Sequence, residues 1–394
     1  MRVFFDIETN GLLEELTTIH CIMLQVEGEA TVLRFDPVSS PVSTGLEILS
    51  NADEIVGHNI IGFDIPAIKK LHPTWTYKQA RDTMLLTRLL WPDIKGSDFQ
   101  RAKQGILPAK MIGRHSLESW GYRLGCYKGE FGKTTDWQQW TPEMSDYCEQ
   151  DVRVIRTIWN VCQKHMSVPE SVIEMEHQVQ EIIARQERHG FAFNYKAAET
   201  LYARLLGERE RLRGDIQAMF PAWYQADTEF TPRRSMKRKT PGGWLECIYE
   251  GAPMTKVKYT TFNPASNAHI AYWLIRKYDW TPVEFTEKSN EPKIDEDVLK
   301  ELPYPEAPQL AHWWTLNKRC SQIAEGKGSW FHHYNSRTGR IHGAVNTIGA
   351  VTARMSHFAP NLAQVPANYS PFGEECRALF HPPAGYKQVG ADAA

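Results

Sequence analysis

One run of residues, RVFFDIE at 2–8, constrains the fold more than any other part of the sequence. It is nearly all apolar and β-prone before its acids, and such a run predicts a buried central strand. Residues two apart on a strand share a face, so Asp6 and Glu8 point to one side while Phe5 and Ile7 pack on the other. The sequence therefore predicts a sheet whose central strand presents two carboxylates on one face.

Two later motifs carry the side chains that would complete a metal site. Asp64 follows the strand-like EIVGHN and opens the amphipathic stretch DIPAIKKL. Thr141 and Pro142 suit the N-cap and first turn of a helix. Tyr147 and Asp151 are four residues apart and project from one face of that helix. A strand, a loop-to-helix junction and a helix therefore each contribute groups that only the fold can bring together.

Carboxylate oxygens suit Mg²⁺, which proteins bind through a few carboxylates plus substrate phosphate. Two such ions side by side stabilise the attacking and the leaving oxygen of an in-line displacement. Taken singly, the three motifs fit a solvated acidic pair, a turn, and a surface tyrosine with a surface acid. Their order and spacing together resemble the three motifs of the DEDD exonuclease superfamily, in its tyrosine branch.

This resemblance implies a 3′–5′ exonuclease domain with an RNase H-like α/β fold. Asp6, Glu8, Asp64 and Asp151 would bind two Mg²⁺ or Mn²⁺ ions, with Asp6 shared between the two. Tyr147 would orient the water that attacks the last phosphodiester of a single-stranded 3′ end. The expected product is a nucleoside monophosphate.

A second segment, RIHGAVNTIGAVTARMSHFAPNLAQVP at 340–366, resembles the primer-template segment of family A DNA polymerases. PFGEECRALF at 371–380 resembles the stretch leading into the palm. QVGADAA at 388–394 resembles the first half of polymerase motif A, in which Asp392 matches the first metal-binding carboxylate. The resemblance is to the bacteriophage T7-type branch and runs nearly end to end. Ala353 stands where the family usually has Gly, a change that we expect to be tolerated unless this position needs a positive φ.

The same resemblance implies contacts with primer-template DNA. Arg354 can offer a planar donor fork to phosphate or to the minor-groove edge of a base pair. Hydrogen-bonding neighbours suit sugar, phosphate and base edges, and such contacts position a duplex without reading its sequence. The predicted DNA-binding residues are Lys318, Arg319, His342, Asn346, Thr352, Arg354, Asn361 and Gln364.

The 394 residues suggest two or three domains, and a hydrophobic content of 42% suffices for sizeable cores. Apolar patterning predicts strands near 2–8, 19–27, 30–35 and 54–58, then helices. The predicted domains are an exonuclease domain at 1–167, a mainly helical thumb at 168–325 with a short basic insertion at 225–261, and the start of an α+β palm at 326–394.

The sequence ends two residues after Asp392, before any fingers segment or second palm carboxylate. Because two-metal phosphoryl transfer needs both carboxylate sites, we expect that this polypeptide does not polymerise alone. It would then belong to a longer product, or to a split polymerase whose second polypeptide carries the fingers and the rest of the palm. The insertion is short, so the thioredoxin partner of T7-type relatives is not expected.

Net charge, cysteine content and hydropathy say little about the functional class of this protein. A net charge of −2 gives no overall sign of nucleic-acid binding, although basic runs such as 233–239 can supply phosphate contacts. Seven scattered cysteines without a C-x-x-C pair argue against a disulfide framework and fit a reducing cytoplasm, that of the bacterial host for a phage protein. No signal peptide or long apolar run indicates a membrane segment.

Two alternatives remain open. An RNA-processing DEDD exonuclease would share the carboxylates, but such relatives lack a segment like 340–366. A non-catalytic half of a split polymerase would merely grip DNA, and the presence of all five nuclease residues argues against it.

Overall fold

The structure is a computed structural model that describes residues 1–127, 131–240, 242–287 and 290–389. The chain divides into two compact units. The first comprises residues 1–190 and 342–363, and the second comprises residues 191–341 and 364–394. In the part of the chain that is described, no helix is long and apolar enough to cross a membrane.

A twisted mixed sheet forms the centre of the first unit. Its strands are β1 Arg2–Thr9, β2 Ile19–Val26, β3 Leu33–Phe35, β4 Glu54–Gly57 and β5 Ala80–Asp82, in the order β3-β2-β1-β4-β5. β1 pairs antiparallel with β2 and parallel with β4. The predicted central strand is therefore confirmed.

The predicted strands near 19–27 and 54–58 are also observed, and the one near 30–35 is shorter than predicted. β5 was not predicted, because three residues are too few to show the alternation of apolar and polar side chains that marks a strand.

Helices cover both faces of this sheet. They are α1 Val42–Asn51, α2 Asp64–Leu71, α3 Thr83–Leu90, α4 Ile94–Lys103, α5 Leu117–Leu124, α6 Phe131–Thr134, α7 Pro142–Lys164 and α8 Glu170–His189. Phe5 and Ile7 of β1 are buried in one core cluster, and Phe4 is buried in another with Cys148 and Val152 of α7. This alternation follows from the two-residue period of a strand. It sets the acids of β1 on the face that α7 covers.

The start of α7 is as predicted. The Thr141 side chain accepts a hydrogen bond from the Met144 N–H, and Pro142 occupies the first turn. The helix then runs for 23 residues, so Tyr147 and Asp151 lie one turn apart on it.

The first unit also contains a distant part of the chain. Strands β13 Ala344–Asn346 and β14 Ser356–Phe358 form an antiparallel pair. The carboxylate of Glu187 on α8 accepts the N–H of Val345 at 2.6 Å, and Thr347 donates to Gln180 at 3.1 Å. The predicted three-domain division, with boundaries at 167 and 325, describes functional regions and stays a prediction.

The second unit combines helices with short strands. Its elements are β6 Phe191–Ala192, α9 Tyr195–Met219, β7 Trp223–Phe230, β8 Met236–Lys239, β9 Leu245–Ile248, β10 Met254–Thr260, α10 Asn267–Tyr278, α11 Glu296–Glu301, α12 Ala307–Cys320, β11 Tyr334–Asn335, β12 Arg340–Ile341 and α13 Gly373–Ala378. The predicted basic insertion at 225–261 falls on two antiparallel strand pairs, β7 with β10 and β8 with β9. Phe220 and Phe262 stack with centroids 4.3 Å apart in the core of this unit.

Candidate active site

The acids of β1 face the buried side of α7. Potential ligand atoms of Asp6, Glu8 and Cys148 all lie within 4.8 Å of one another. Asp6 is half-buried, and Glu8 is only 9% exposed. Two carboxylates this close suit a hard divalent cation, so the residues present fit the predicted metal.

Asp64 lies beside this group, although its carboxylate is not one of the ligand atoms within 4.8 Å of one another. Its carboxylate is buried and faces the backbone N–H of Ile7, the residue between Asp6 and Glu8. Burial, with the negative charges of Asp82 and Asp151, raises the pKa of Asp64 to about 7 against the lowering effect of the Ile7 N–H. A cation in the cluster would relieve this repulsion, which is the electrostatic signature expected of an acidic metal site.

Asp151 and Tyr147 approach the cluster from α7. Asp151 is 3% exposed and close enough to Asp64 to influence its pKa. Tyr147 is half-buried, with its ring 5.5 Å from that of Phe131 and 6.4 Å from that of Trp137. A Cβ at Gly132 would lie 3.1 Å from the phenol oxygen, so the small residue leaves room for the Tyr147 hydroxyl. Aromatic packing thus fixes the phenol on the helix face that carries Asp151.

Asp82 is a further buried acid next to the candidate site, and the sequence analysis did not identify it. It is 1% exposed, and its carboxylate accepts the backbone N–H groups of Asn59 at 2.8 Å, Met84 at 2.9 Å and Ile61 at 3.3 Å. Asn59 has a φ of 64°. Asp82 therefore holds the turn that leads into Asp64. Its position as N-cap of the apolar run TMLLTRLL was the available signal.

Cys148 was also missed. Its buried thiol donates to the backbone oxygen of Asp6 at 3.4 Å. Burial, then contact with Cys21 and the charges of Asp6 and Glu8, raise the pKa of Cys148 well above its usual range. Its position, three residues before Asp151 on α7, was the only signal in the sequence.

The predicted DNA-binding residues of the first unit lie on and around β13 and β14. The exposed Arg354 and Thr352 occupy the turn between these strands. Asn346 accepts a hydrogen bond from Arg88 at 3.0 Å, and His342 meets the backbone oxygen of Glu187 at 2.9 Å. Asn361 is half-buried. The turn therefore presents its polar side chains to solvent, whereas the flanking residues also serve the local fold.

Position 353 adopts the positive φ that would make Ala a costly replacement for Gly. Its φ is 59°, in the left-handed region that L-residues adopt at a cost. Backbone bonds from Gly349 N–H to Arg354 oxygen and from Ala353 N–H to Ala350 oxygen, both 2.9 Å, define the turn. The expected tolerance of Ala for Gly is therefore qualified by backbone strain.

In the second unit, Lys318 and Gln364 are exposed, whereas Arg319 is 7% exposed. The Arg319 guanidinium donates to the Pro371 oxygen at 3.3 Å and to Gln322 at 3.4 Å. This burial argues against the predicted direct contact of Arg319 with DNA and indicates a structural role. Asp392 lies outside the described residues.

Comparisons with known proteins agree with this architecture. Residues 3–163 match the RNase H superfamily, and residues 249–394 match DNA polymerase family A. The DNA-directed DNA polymerase of Escherichia phage T7 is 32% identical to this chain, in an alignment that covers 95% of the chain. The chain is thus similar to T7-type phage DNA polymerases over nearly its whole length, and its residues 249–394 match DNA polymerase family A. The predicted resemblance and fold class are thereby confirmed.

Two further comparisons define the extent of the similarity. The DNA-directed DNA polymerase of Enterobacteria phage T3 is also 32% identical over 95% of the chain. The chain spans 64% of the length of each phage relative. A solved structure, the POL domain of Pol1 from M. smegmatis in complex with DNA primer-template and dNTP, gives a TM-score of 0.60 over 97% of this chain and 56% of that one. At 14% identity, that likeness concerns the fold alone.

Proposed function

We propose that this chain is a 3′–5′ exonuclease that removes nucleotides from DNA ends, and that it acts within DNA synthesis on a primer-template. The observation that carries the proposal is the pair of close carboxylates on β1, Asp6 and Glu8, beside which the buried Asp64 and Asp151 lie. Asp64 faces the backbone between Asp6 and Glu8 and is close enough to Asp151 to be repelled by it. Buried carboxylates that repel one another are costly to ionise, and a bound divalent cation offsets that cost.

Asp6, Glu8, Asp64 and Asp151 would hold the divalent ions, for which we propose Mg²⁺. Such ions, when bound, would supply charge stabilisation for the hydrolysis of the scissile phosphodiester. Tyr147 orients the attacking water through its phenol, which the rings of Phe131 and Trp137 hold in place. The reaction breaks the bond between phosphorus and the 3′ oxygen of the penultimate sugar. That oxygen gains a proton, and a nucleoside 5′-monophosphate leaves.

A preference for mispaired ends follows from the cost of unpairing. A terminal base must leave the duplex to reach the acids, and a mismatched base costs less to unpair. Arg354 and Thr352, on the exposed turn between β13 and β14, and Lys318 are the proposed contacts to primer-template DNA. We also propose that this activity belongs to the cytoplasm of a bacterial host, a proposal supported by the similarity to phage polymerases.

Removal of single acids tests the proposal. We expect Asp6→Ala and Asp151→Ala to abolish Mg²⁺-dependent degradation of a 3′-labelled DNA oligonucleotide. Asp146→Ala is the matched control, because Asp146 lies on α7 with an exposed carboxylate paired to Arg34 at 2.8 Å. It should keep full activity. Near-normal activity of Asp6→Ala or Asp151→Ala, with an unchanged unfolding temperature, would refute the assignment.

The RNA-processing alternative has a separate test. We expect a DNA oligonucleotide to be degraded faster than an RNA oligonucleotide of the same sequence, because residues 249–394 match a DNA polymerase family. Equal rates, or faster RNA degradation, would favour the alternative. Loss of all degradation on addition of EDTA excludes a contaminating metal-independent nuclease.

A further inference from the structure

A basic cleft lies within the first unit, lined by α2, α8 and the loop that follows β1. Its volume is about 680 Å³, inside the range of roughly 300–1,000 Å³ typical of small-molecule sites. Lys69 and Lys70 come from α2, and Arg185 and Arg188 come from α8. These four residues are the cations of what we call the basic cleft.

The basic cleft has an excess of positive charge, because four cations and two carboxylates line it. Within the described ranges, none of the four cations forms an ion pair with an acid, although Glu14 and Glu181 also line the cleft. Burial, and the like charge of Arg185, lower the pKa of Arg188 against the effect of Glu187. Unpaired cations gathered in one concave site attract an anion strongly, since the walls exclude part of the screening solvent. The net charge of the whole chain is −2, so this attraction is a local property.

Hydrogen bonds hold the side chains that line the basic cleft in place without a ligand. The Lys70 ammonium donates to the backbone oxygens of Leu13 at 2.9 Å and Glu14 at 2.8 Å, which ties the loop to α2. Tyr77 donates to Glu181 at 3.3 Å, and the Lys69 ammonium lies 4.9 Å from the centre of the Tyr77 ring. Burial raises the pKa of Tyr77 to about 12, so the phenol adds no negative charge.

The floor of the basic cleft is apolar, formed by Ile61, Ile65 and Ala184, which are buried members of one core cluster. A ligand that suits both the four cations and the apolar floor has a phosphate group and a flat, weakly polar ring system. The phosphate would contact the cations, and the ring would contact the floor. Guanidinium groups bind phosphate bidentately and also stack on planar rings. We propose that the basic cleft binds a nucleoside phosphate, separately from the acids of the candidate active site.

Two sources could supply this ligand: a free mononucleotide, or one nucleotide of a DNA strand. Binding of radiolabelled dTMP and of a five-residue thymidine oligonucleotide to the whole chain, measured by equilibrium dialysis in EDTA, separates them. EDTA keeps metal out of the acidic cluster, which then repels phosphate, so the result does not depend on the exonuclease proposal.

The double variant Arg185→Gln/Arg188→Gln is the test, and Lys103→Gln/Lys110→Gln is the control. Both remove two exposed positive charges from the first unit. We expect at least one of the two ligands to bind the wild type and the control equally, and the cleft variant at least tenfold more weakly. Stronger binding of dTMP would identify the free nucleotide as the source, and binding of the oligonucleotide alone would identify DNA.

Two results would overturn the proposal: absence of binding by the wild type, or equal loss of affinity in both double variants. Unchanged unfolding temperatures show that each variant is folded. Lys69→Gln provides a second measurement and should also weaken binding.

Discussion

The thiol of Cys148 lies 3.6 Å from a carboxylate oxygen of Asp6. A soft sulfur ligand thus stands beside hard oxygen ligands in a cluster that otherwise suits Mg²⁺. Thiolates bind soft cations strongly, whereas carboxylates alone discriminate little. This one relationship distinguishes the site from a purely carboxylate centre.

We expect Cd²⁺ to bind the cluster and to inhibit Mg²⁺-dependent DNA degradation in the wild type. Cys148→Ala should be much less sensitive, because the sulfur ligand is lost. The ultraviolet absorption of a cadmium–thiolate bond would report binding independently of activity. Cys162→Ala is the control, because Cys162 is buried in the same core cluster but does not belong to the acidic group. Equal sensitivity of the two variants would exclude Cys148 as a ligand.

Asp82→Asn should weaken metal binding without removing a ligand. The amide cannot accept the N–H groups of Asn59, Ile61 and Met84 as a carboxylate does, so the turn before Asp64 loosens. Loss of such supporting contacts typically lowers metal affinity by about 10- to 100-fold, which isothermal titration with Mn²⁺ would measure.

Asp98→Asn is the control for this effect. Asp98 is fully buried and pairs with Arg123 at 2.7 Å, and its partners among the described residues, Arg101, Gly113 and Arg123, lie outside the acidic cluster. It should lose stability but keep its Mn²⁺ affinity. A similar loss of affinity in both variants would mean that Asp82 acts only through global stability.

The stability of the metal-free protein should depend on the ionisation of Asp64. The pKa of this group rises from 3.8 to about 7 on folding, so the folded state binds the proton more tightly than the unfolded state. Relative to Asp64→Asn, the free energy of unfolding of the wild type therefore falls as pH rises from about 4 to about 7, then levels off. Urea unfolding in EDTA across this range measures the difference. Saturating Mg²⁺ should reduce the pH dependence of this difference. A difference in unfolding free energy that is constant with pH would contradict the assigned role of Asp64 ionisation.

Ala353→Gly should stabilise the first unit. The left-handed conformation costs an L-residue roughly 1–2 kcal/mol, and part of that gain is offset by the greater freedom of Gly in the unfolded chain. We expect a net gain of about 0.5–1 kcal/mol by thermal unfolding. Ala350→Gly in the same turn serves as the comparison, since its φ is not positive. It should be neutral or destabilising.

The sequence by itself determined the central strand and the two helix starts that carry the predicted site residues of the first unit. The run at 2–8 is apolar enough to be a central strand, Thr141 and Pro142 start α7, and Asp64 opens α2. These are local properties, because strand and helix periodicity and capping depend on neighbours along the chain. The family resemblance rested on the same ordered segments.

The tertiary structure alone decided which groups meet. The two-residue period of β1 and the packing of α7 bring the Cys148 thiol to Asp6, and a buried Asp82 fixes the turn before Asp64. Long-range packing also buries Arg319, which the sequence presents as an ordinary basic residue. The basic cleft likewise joins cations more than a hundred residues apart. Burial and proximity between distant segments are set by the packing of whole elements, so no local pattern encodes them.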